Sequence, residues 1–197
     1  METEIEAKFP DVDAVAVREK LEKLGARRVY PEVLMRRKNF DYPDNHLAPI
    51  GGWIRVRDEG SIVTLSYKEL KDRSLHGTKE LSVVVSDFDK TCAFLEAIGL
   101  ECKSYQETKR EKWMLKNVEV TIDTWPWIPT LVEIEGPEEI AVKDTAATLG
   151  FDWSNAMHGS IETVYQMHYD FTEREIIYWK SITFVPAPAW LLAKKKN

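Results

Sequence analysis

The sequence predicts an α+β domain whose antiparallel sheet closes into a barrel, with helices packed on the outside. Three observations point there. Strand-like segments outnumber helix-like ones by more than two to one. Most of those strands alternate charged or polar residues with apolar ones, so each has two unlike faces. The charges are also sorted by sign, with acids on the first and last strands and bases on the middle ones. A loosely solvated sheet face has no need of such sorting.

The elements follow in chain order. Glu4-Ile5-Glu6-Ala7-Lys8 reads as a strand with Glu4, Glu6 and Lys8 on one face, and Glu2 continues the alternation toward the rim. A helix follows over Asp11 to Leu24, stopped by Gly25, with Val12, Val15, Leu21 and Leu24 as its apolar stripe. An acidic start and a glycine just past the end are ordinary helix punctuation. Met35 to Phe40 is a basic strand. Gly51-Gly52 and Glu59-Gly60 read as turns around the strands Trp53 to Arg57 and Ile62 to Lys68.

The same order then recurs. The strand Lys79 to Val84 leads into a helix over Asp87 to Ile98, stopped by Gly99, with Phe88, Cys92, Leu95 and Ile98 on its stripe. A second basic strand, Thr108 to Trp113, precedes the strand Val118 to Asp123. The strand Leu131 to Glu135 leads into a helix over Pro137 to Leu149, stopped by Gly150. The recurrence reads as a duplicated half rather than a short solenoid repeat. Gly159 to Tyr169 is expected to form a helix that closes the barrel mouth, with Ile161, Val164, Tyr165 and His168 on one face. The segment from Thr172 is less patterned, and Lys194 to Asn197 is expected to fray. The expected division is a tunnel domain over 1–170 and a tail over 171–197 that packs on or near it.

Composition narrows the function classes. The net charge of −6 argues against broad nucleic-acid binding, which leaves a basic footprint. Acids directly after Met1, and an apolar run from Phe184 to Ala193 broken by two prolines, give neither a secretory segment nor a membrane span. The cytoplasm is the expected location. Cys92 and Cys102 are too few for a disulfide framework or a cysteine zinc site, and the four histidines lack metal-ligand spacing. Trp125-Pro126-Trp127 at a strand end reads as packing.

A closed barrel would turn the charged faces inward and leave the apolar faces to the helices, and closure removes edge strands. Charges so enclosed need water, each other or ligands. Guanidinium and ammonium groups in number suit phosphate oxygens. Carboxylates without histidine or cysteine suit a hard cation such as Mg²⁺ or Mn²⁺. A polyphosphate–metal complex satisfies both requirements.

Glu4-x-Glu6-x-Lys8 resembles the ExExK motif of the CYTH superfamily, the triphosphate tunnel metalloenzymes. Arg55-x-Arg57, Lys68, Glu80, Arg110, Asp123 and Glu133-x-Glu135 match in the same order, from residue 4 to about residue 150. The resemblance implies an eight-stranded antiparallel tunnel. It implies metal ligands at Glu4, Glu6, Asp123, Glu133 and Glu135, and phosphate ligands at Lys8, Arg55, Arg57, Lys68 and Arg110, with Glu80 supporting a basic side chain. Many relatives carry a lysine two residues before Arg110. This chain has Thr108 there, and Lys112 on the same face is expected to substitute.

The implied activity is metal-dependent hydrolysis of a triphosphate: inorganic tripolyphosphate, thiamine triphosphate or a nucleoside triphosphate. Glu4 would orient water, and Lys8 would assist in proton transfer or hold phosphate. Two alternatives stay open. One is a class IV adenylyl cyclase, making cyclic AMP and pyrophosphate from ATP. The other is a polyphosphate-binding module without turnover. The expected partner is a triphosphate-containing small molecule, with neither nucleic acid nor membrane, and a homodimer is an allowed assembly.

Overall fold

A computed structural model describes residues 1–172, 175–176 and 179–196. Its strands are β1 (Glu2–Thr3), β2 (Glu6–Phe9), β3 (Arg27–Asp41), β4 (Gly52–Asp58), β5 (Val63–Leu70), β6 (Thr78–Val85), β7 (Glu101–Leu115), β8 (Val118–Thr124), β9 (Leu131–Glu135) and β10 (Ser181–Ile182). The helices are α1 (Ala14–Lys23), α2 (Phe88–Ala97), α3 (Glu139–Thr148), α4 (Glu162–His168) and α5 (Ala189–Leu192).

The strand order β1-β6-β5-β4-β3-β7-β8-β9-β2 closes on itself, because its two ends are successive pieces of one N-terminal segment. β1 pairs antiparallel with β6 and β2 with β9. Between them Glu4 N bonds Thr78 O on one side, and Ile5 O accepts from Gly136 N on the other. Counting β1 and β2 as one interrupted strand gives the expected eight walls. The order is symmetric about the β3–β7 pair, as a duplicated half requires.

Local chemistry sets the helix ends. Asp13 caps α1, accepting from Val15 N at 2.8 Å and Ala16 N at 3.3 Å. The helix therefore starts at Ala14, three residues later than Asp11. This rotates the expected stripe. Val17 and Leu21, one i,i+4 row, are buried, whereas Val15 is 59% exposed and Leu24 is also exposed. Asp87 caps α2 through Lys90 N at 2.7 Å, and Phe88, Cys92 and Leu95 are buried as expected. Ile98, the last member of that expected stripe, is exposed. At the turn into β4, Gly51 has φ +71°, and a Cβ there would stand 2.1 Å from Leu70 O, so no other residue fits.

Three apolar clusters surround the barrel wall. α1 and α3 cover β2, β8 and β9 through Val17, Leu21, Val142 and Ala146 against Ala7, Val120, Val132 and Ile134. α2 covers β3 and β4 through Phe88, Cys92 and Leu95 against Phe40 and Val56. The third cluster closes one end of the barrel. There Trp125 and Leu131 meet Val164 and Tyr165 of α4 together with Ile176, Trp179 and Ile182.

The C-terminal segment is tied into this end. β10 runs parallel to β7 at Tyr105 and Gln106, the stretch of β7 beyond its pairing with β8. Ser104 Oγ donates to Trp179 O at 2.7 Å. The final lysines are held rather than frayed: Asp170 N donates to Lys194 O, Lys196 N to His168 O, and Lys194 pairs with Glu175. Asn197 lies outside the described residues. Among the described residues, no helix is long and apolar enough to cross a membrane.

A candidate active site inside the barrel

The inward faces enclose a cavity of about 980 Å³. All of the site residues expected from the sequence line it, together with Arg37, Ser82, Gln106, Glu119 and Glu162. Strand alternation accounts for this: Arg55 and Arg57 face in while Ile54 and Val56 face out, and the other walls follow the same rule.

One acidic group forms where the first and last walls meet. The β2–β9 register sets Glu6 opposite Glu135 and Lys8 opposite Glu133. Glu6, Glu133 and Glu135 each offer one oxygen, all within 4.8 Å of one another. Lys8 Nζ stands 2.6 Å from Glu6 Oε1 and 3.1 Å from Glu133 Oε2. Burial alone would raise the Glu133 carboxyl, but Lys8 and Arg110 outweigh it and hold the group well below the usual carboxylate range. Glu135 is pushed up to about 7 by burial and then by Glu133, Glu119 and Glu6. Like charges so close repel unless a cation joins them. A compact all-oxygen donor set of this kind fits Mg²⁺ or Mn²⁺.

Glu4 and Asp123 lie apart from this trio. Lys68 Nζ sits between two carboxylates, 2.9 Å from Glu4 Oε1 and 2.9 Å from Glu80 Oε2. Burial and a hydrogen bond donated to Glu80 push Glu4 up to about 8, while Glu80 is held low despite its own burial. The two carboxylates therefore titrate as a pair. Glu80 also accepts from Arg55 Nη2 at 3.2 Å. Asp123 receives Arg110 in a fork, 2.7 Å from Nε and 2.5 Å from Nη2, and Arg110 reaches Glu133 at 3.2 Å. Arg57 pairs with Glu59 and Lys112 with Glu119.

Arg37 is a buried cavity cation the sequence reading passed over. It lies within the run Arg36-Arg37-Lys38, which resembles a solvated basic strand. Alternation sorts the run: Arg36 and Lys38 turn out to Asp58 and Glu96, while Arg37 turns in. Arg37 Nη2 donates to Thr108 Oγ1 at 2.6 Å, and its guanidinium lies over the Trp125 ring at 4.6 Å. Thr108 is therefore a partner for a neighbouring arginine, while Lys112 is occupied by Glu119. Trp125 packs against Tyr165, and Trp127 donates to Val185 O, in keeping with their reading as packing residues. Among the described residues, no histidine joins an acidic cluster.

The fold has solved counterparts. A candidate adenylate cyclase from Vibrio parahaemolyticus superposes with a TM-score of 0.73 at 14% identity, covering 84% of this chain and 98% of that one. A Pyrococcus horikoshii protein superposes at 0.65 with 22% identity, covering 78% and 93%. A Hippeastrum protein, described as a candidate adenylyl cyclase with dominant triphosphatase activity, superposes at 0.56 with 16% identity, covering 85% and 96%. A comparison with curated protein sequences found no significant match. The family model for the CYTH domain matches residues 2–149, which span every wall of the barrel except the short β10. The chain belongs to the CYTH domain family.

Proposed function

We propose that this protein hydrolyses the terminal phosphoryl group of a triphosphate (tripolyphosphate, thiamine triphosphate or a nucleoside triphosphate) with a divalent cation bound. The supporting observation is the meeting, in one cavity, of the Glu6, Glu133 and Glu135 oxygens with the inward ring of Lys8, Arg37, Arg55, Arg57, Lys68 and Arg110. Glu6, Glu133 and Glu135 would hold Mg²⁺ or Mn²⁺, which supplies charge neutralisation at the phosphoryl oxygens.

The chain's own residues do the rest. Arg55, Lys68 and Arg110 turn from their carboxylate partners toward phosphate oxygens, which neutralises charge on the transferred and departing groups. Glu4, whose carboxyl burial raises to about 8, is suited to accept a proton from water. The water oxygen bonds to the terminal phosphorus, the bridging P–O bond breaks, and the diphosphate portion leaves with that electron pair.

The test is product identification with Mg²⁺ or Mn²⁺ and, separately, tripolyphosphate, thiamine triphosphate and ATP. Orthophosphate release is the expected result. Cyclic AMP with pyrophosphate would replace the hydrolase by a cyclase, in which the ribose 3′-hydroxyl takes the place of water. Binding without turnover would leave a polyphosphate-binding module.

A further inference from the structure

Every other mapped cation of the cavity wall already has a carboxylate. Lys8 is held by Glu6 and Glu133, Arg55 by Glu80, Arg57 by Glu59, Lys68 by Glu4 and Glu80, Arg110 by Asp123 and Glu133, and Lys112 by Glu119. Arg37 has none among the described residues. It is 6% exposed, and its one hydrogen bond goes to the neutral hydroxyl of Thr108. Its Nε is buried without a partner.

No anion among the described residues pairs with it; Glu162 of α4, which also lines the cavity, makes no ion pair with Arg37, and its Oε2 is buried without a partner. Arg37 faces Arg57 and Gln106 across its two neighbouring strands. Asn39 and Ser104, the next inward pair, are neutral, and Gln106 donates to Ser104. Asp41 at the end of β3 is spent on the backbone N–H groups of Tyr42, Leu47 and Ala48. Asp123 reaches Arg37 only through its field, because its two oxygens hold Arg110.

A buried cation without a counter-ion is strongly unfavourable, and a protein keeps one where a ligand supplies the missing charge. Trp125 beneath the guanidinium and Thr108 at its edge fix its plane, so the remaining donors are preorganised. Trp125 also belongs to the apolar cluster with which the C-terminal segment closes the barrel, whereas Glu135 ends β9 four residues beyond Leu131 of that cluster, about 13 Å along the strand. The acidic trio and Arg37 therefore occupy different stretches of the cavity.

We propose that Arg37 is the anion seat of the tunnel: its guanidinium binds phosphoryl oxygens of the triphosphate at the end closed by the C-terminal segment, apart from the carboxylates that hold the metal. This rests on the hydrolase reading for the identity of the anion. Because Arg37 lacks a carboxylate to be displaced, it is a substrate-binding residue of greater weight than those paired in the ligand-free state.

The test uses the full chain without metal, so that nothing is turned over. Tripolyphosphate binding is measured by titration calorimetry, and ligand-free thermal stability by denaturation, for wild type, Arg37→Gln and Arg37→Lys. The expected result for Arg37→Gln is at least a tenfold loss of affinity with a melting temperature equal to or above wild type. Arg37→Lys should recover part of the affinity. An arginine that merely supported the fold would give the opposite sign, a lower ligand-free melting temperature with affinity unchanged, and that result overturns the seat. Wild type that binds, alongside Arg37→Gln that binds equally well, removes the seat and leaves the hydrolase reading standing. Wild type that neither binds nor hydrolyses tripolyphosphate removes both.

Discussion

Lys8 on β2 stands directly opposite Glu133 on β9, with Nζ 3.1 Å from Oε2 and a second carboxylate, Glu6, at 2.6 Å. The ammonium does in the ligand-free protein what a metal would do: it separates two buried carboxylates on facing strands. Lys8→Met should therefore destabilise the metal-free protein by about 3–5 kcal/mol, the usual cost of orphaning a buried ion pair. Mn²⁺ should return more melting temperature to the variant than to wild type. Equal Mn²⁺ shifts in both would separate Lys8 from the metal site.

Glu133 links the acidic trio to the cations of the cavity, since it touches both Lys8 and Arg110. Glu133→Gln keeps the shape but loses the charge. The expected outcome is a loss of metal-dependent turnover of about 100-fold or more, at or beyond the range for disturbing the support of a metal ligand. The circular dichroism spectrum should not change. Activity within a few-fold of wild type would move the metal elsewhere.

Glu4 sets a pH dependence. Its carboxyl is raised from 4.5 to about 8 by burial and by Glu80, so the folded chain binds a proton more tightly than the unfolded one. Stability from this group is full below about pH 4.5 and is lost as pH rises through about 8. Melting temperatures of metal-free protein should fall between pH 6 and pH 9. Glu4→Gln, which cannot titrate, should flatten that fall, and an unchanged slope would show that the proton sits elsewhere.

Among the described residues Arg55 pairs only with Glu80, and burial followed by the neighbouring Arg57 lowers its guanidinium to about 10. A second cation beside it makes the position favourable for a polyanion of any kind. Arg55→Ala should raise KM for tripolyphosphate, thiamine triphosphate and ATP alike, by about tenfold or more for a lost charge-assisted contact. An effect confined to one of the three would make Arg55 a contact to the organic group rather than to phosphate.

The inward walls were legible in the sequence because strand alternation has a period of two and tolerates few errors. Glu6, Arg55, Lys68, Arg110 and Glu133 all fall where that period puts them. What escaped depended on partners distant in sequence. The first strand breaks at Glu4 and Ile5 because the segment changes neighbours there, from Thr78 to Gly136, and nothing local marks the switch. Arg37 is masked by the outward-facing arginine and lysine on either side. Val15 looked like a core residue until Asp13 fixed the helix start and with it the buried row.

Glu111 tests the separation of the two faces. It sits on β7 between Arg110 and Lys112 but points outward, 2% exposed beneath α1, and accepts from Arg18 Nε at 2.7 Å and Trp113 Nε1 at 2.8 Å. A carboxylate among apolar side chains is tolerable because both donors are present and Arg28 Nη1 stands 4.0 Å away, and Arg18 also ties the helix to the barrel. Glu111→Ala strands the Trp113 N–H and frees Arg18. It should cost about 2–3 kcal/mol, by the worth of hydrogen bonds to a charged group. For a chain of this size that is about 4–12 °C in melting temperature. Because the side chain never enters the cavity, kcat and KM below the transition should match wild type. In a double-mutant cycle, Arg18→Ala should account for only part of the loss, since the Trp113 bond remains. Full additivity of the two substitutions would show that Arg18 and Glu111 act independently, and a fall in kcat would show that the outer face is coupled to the site.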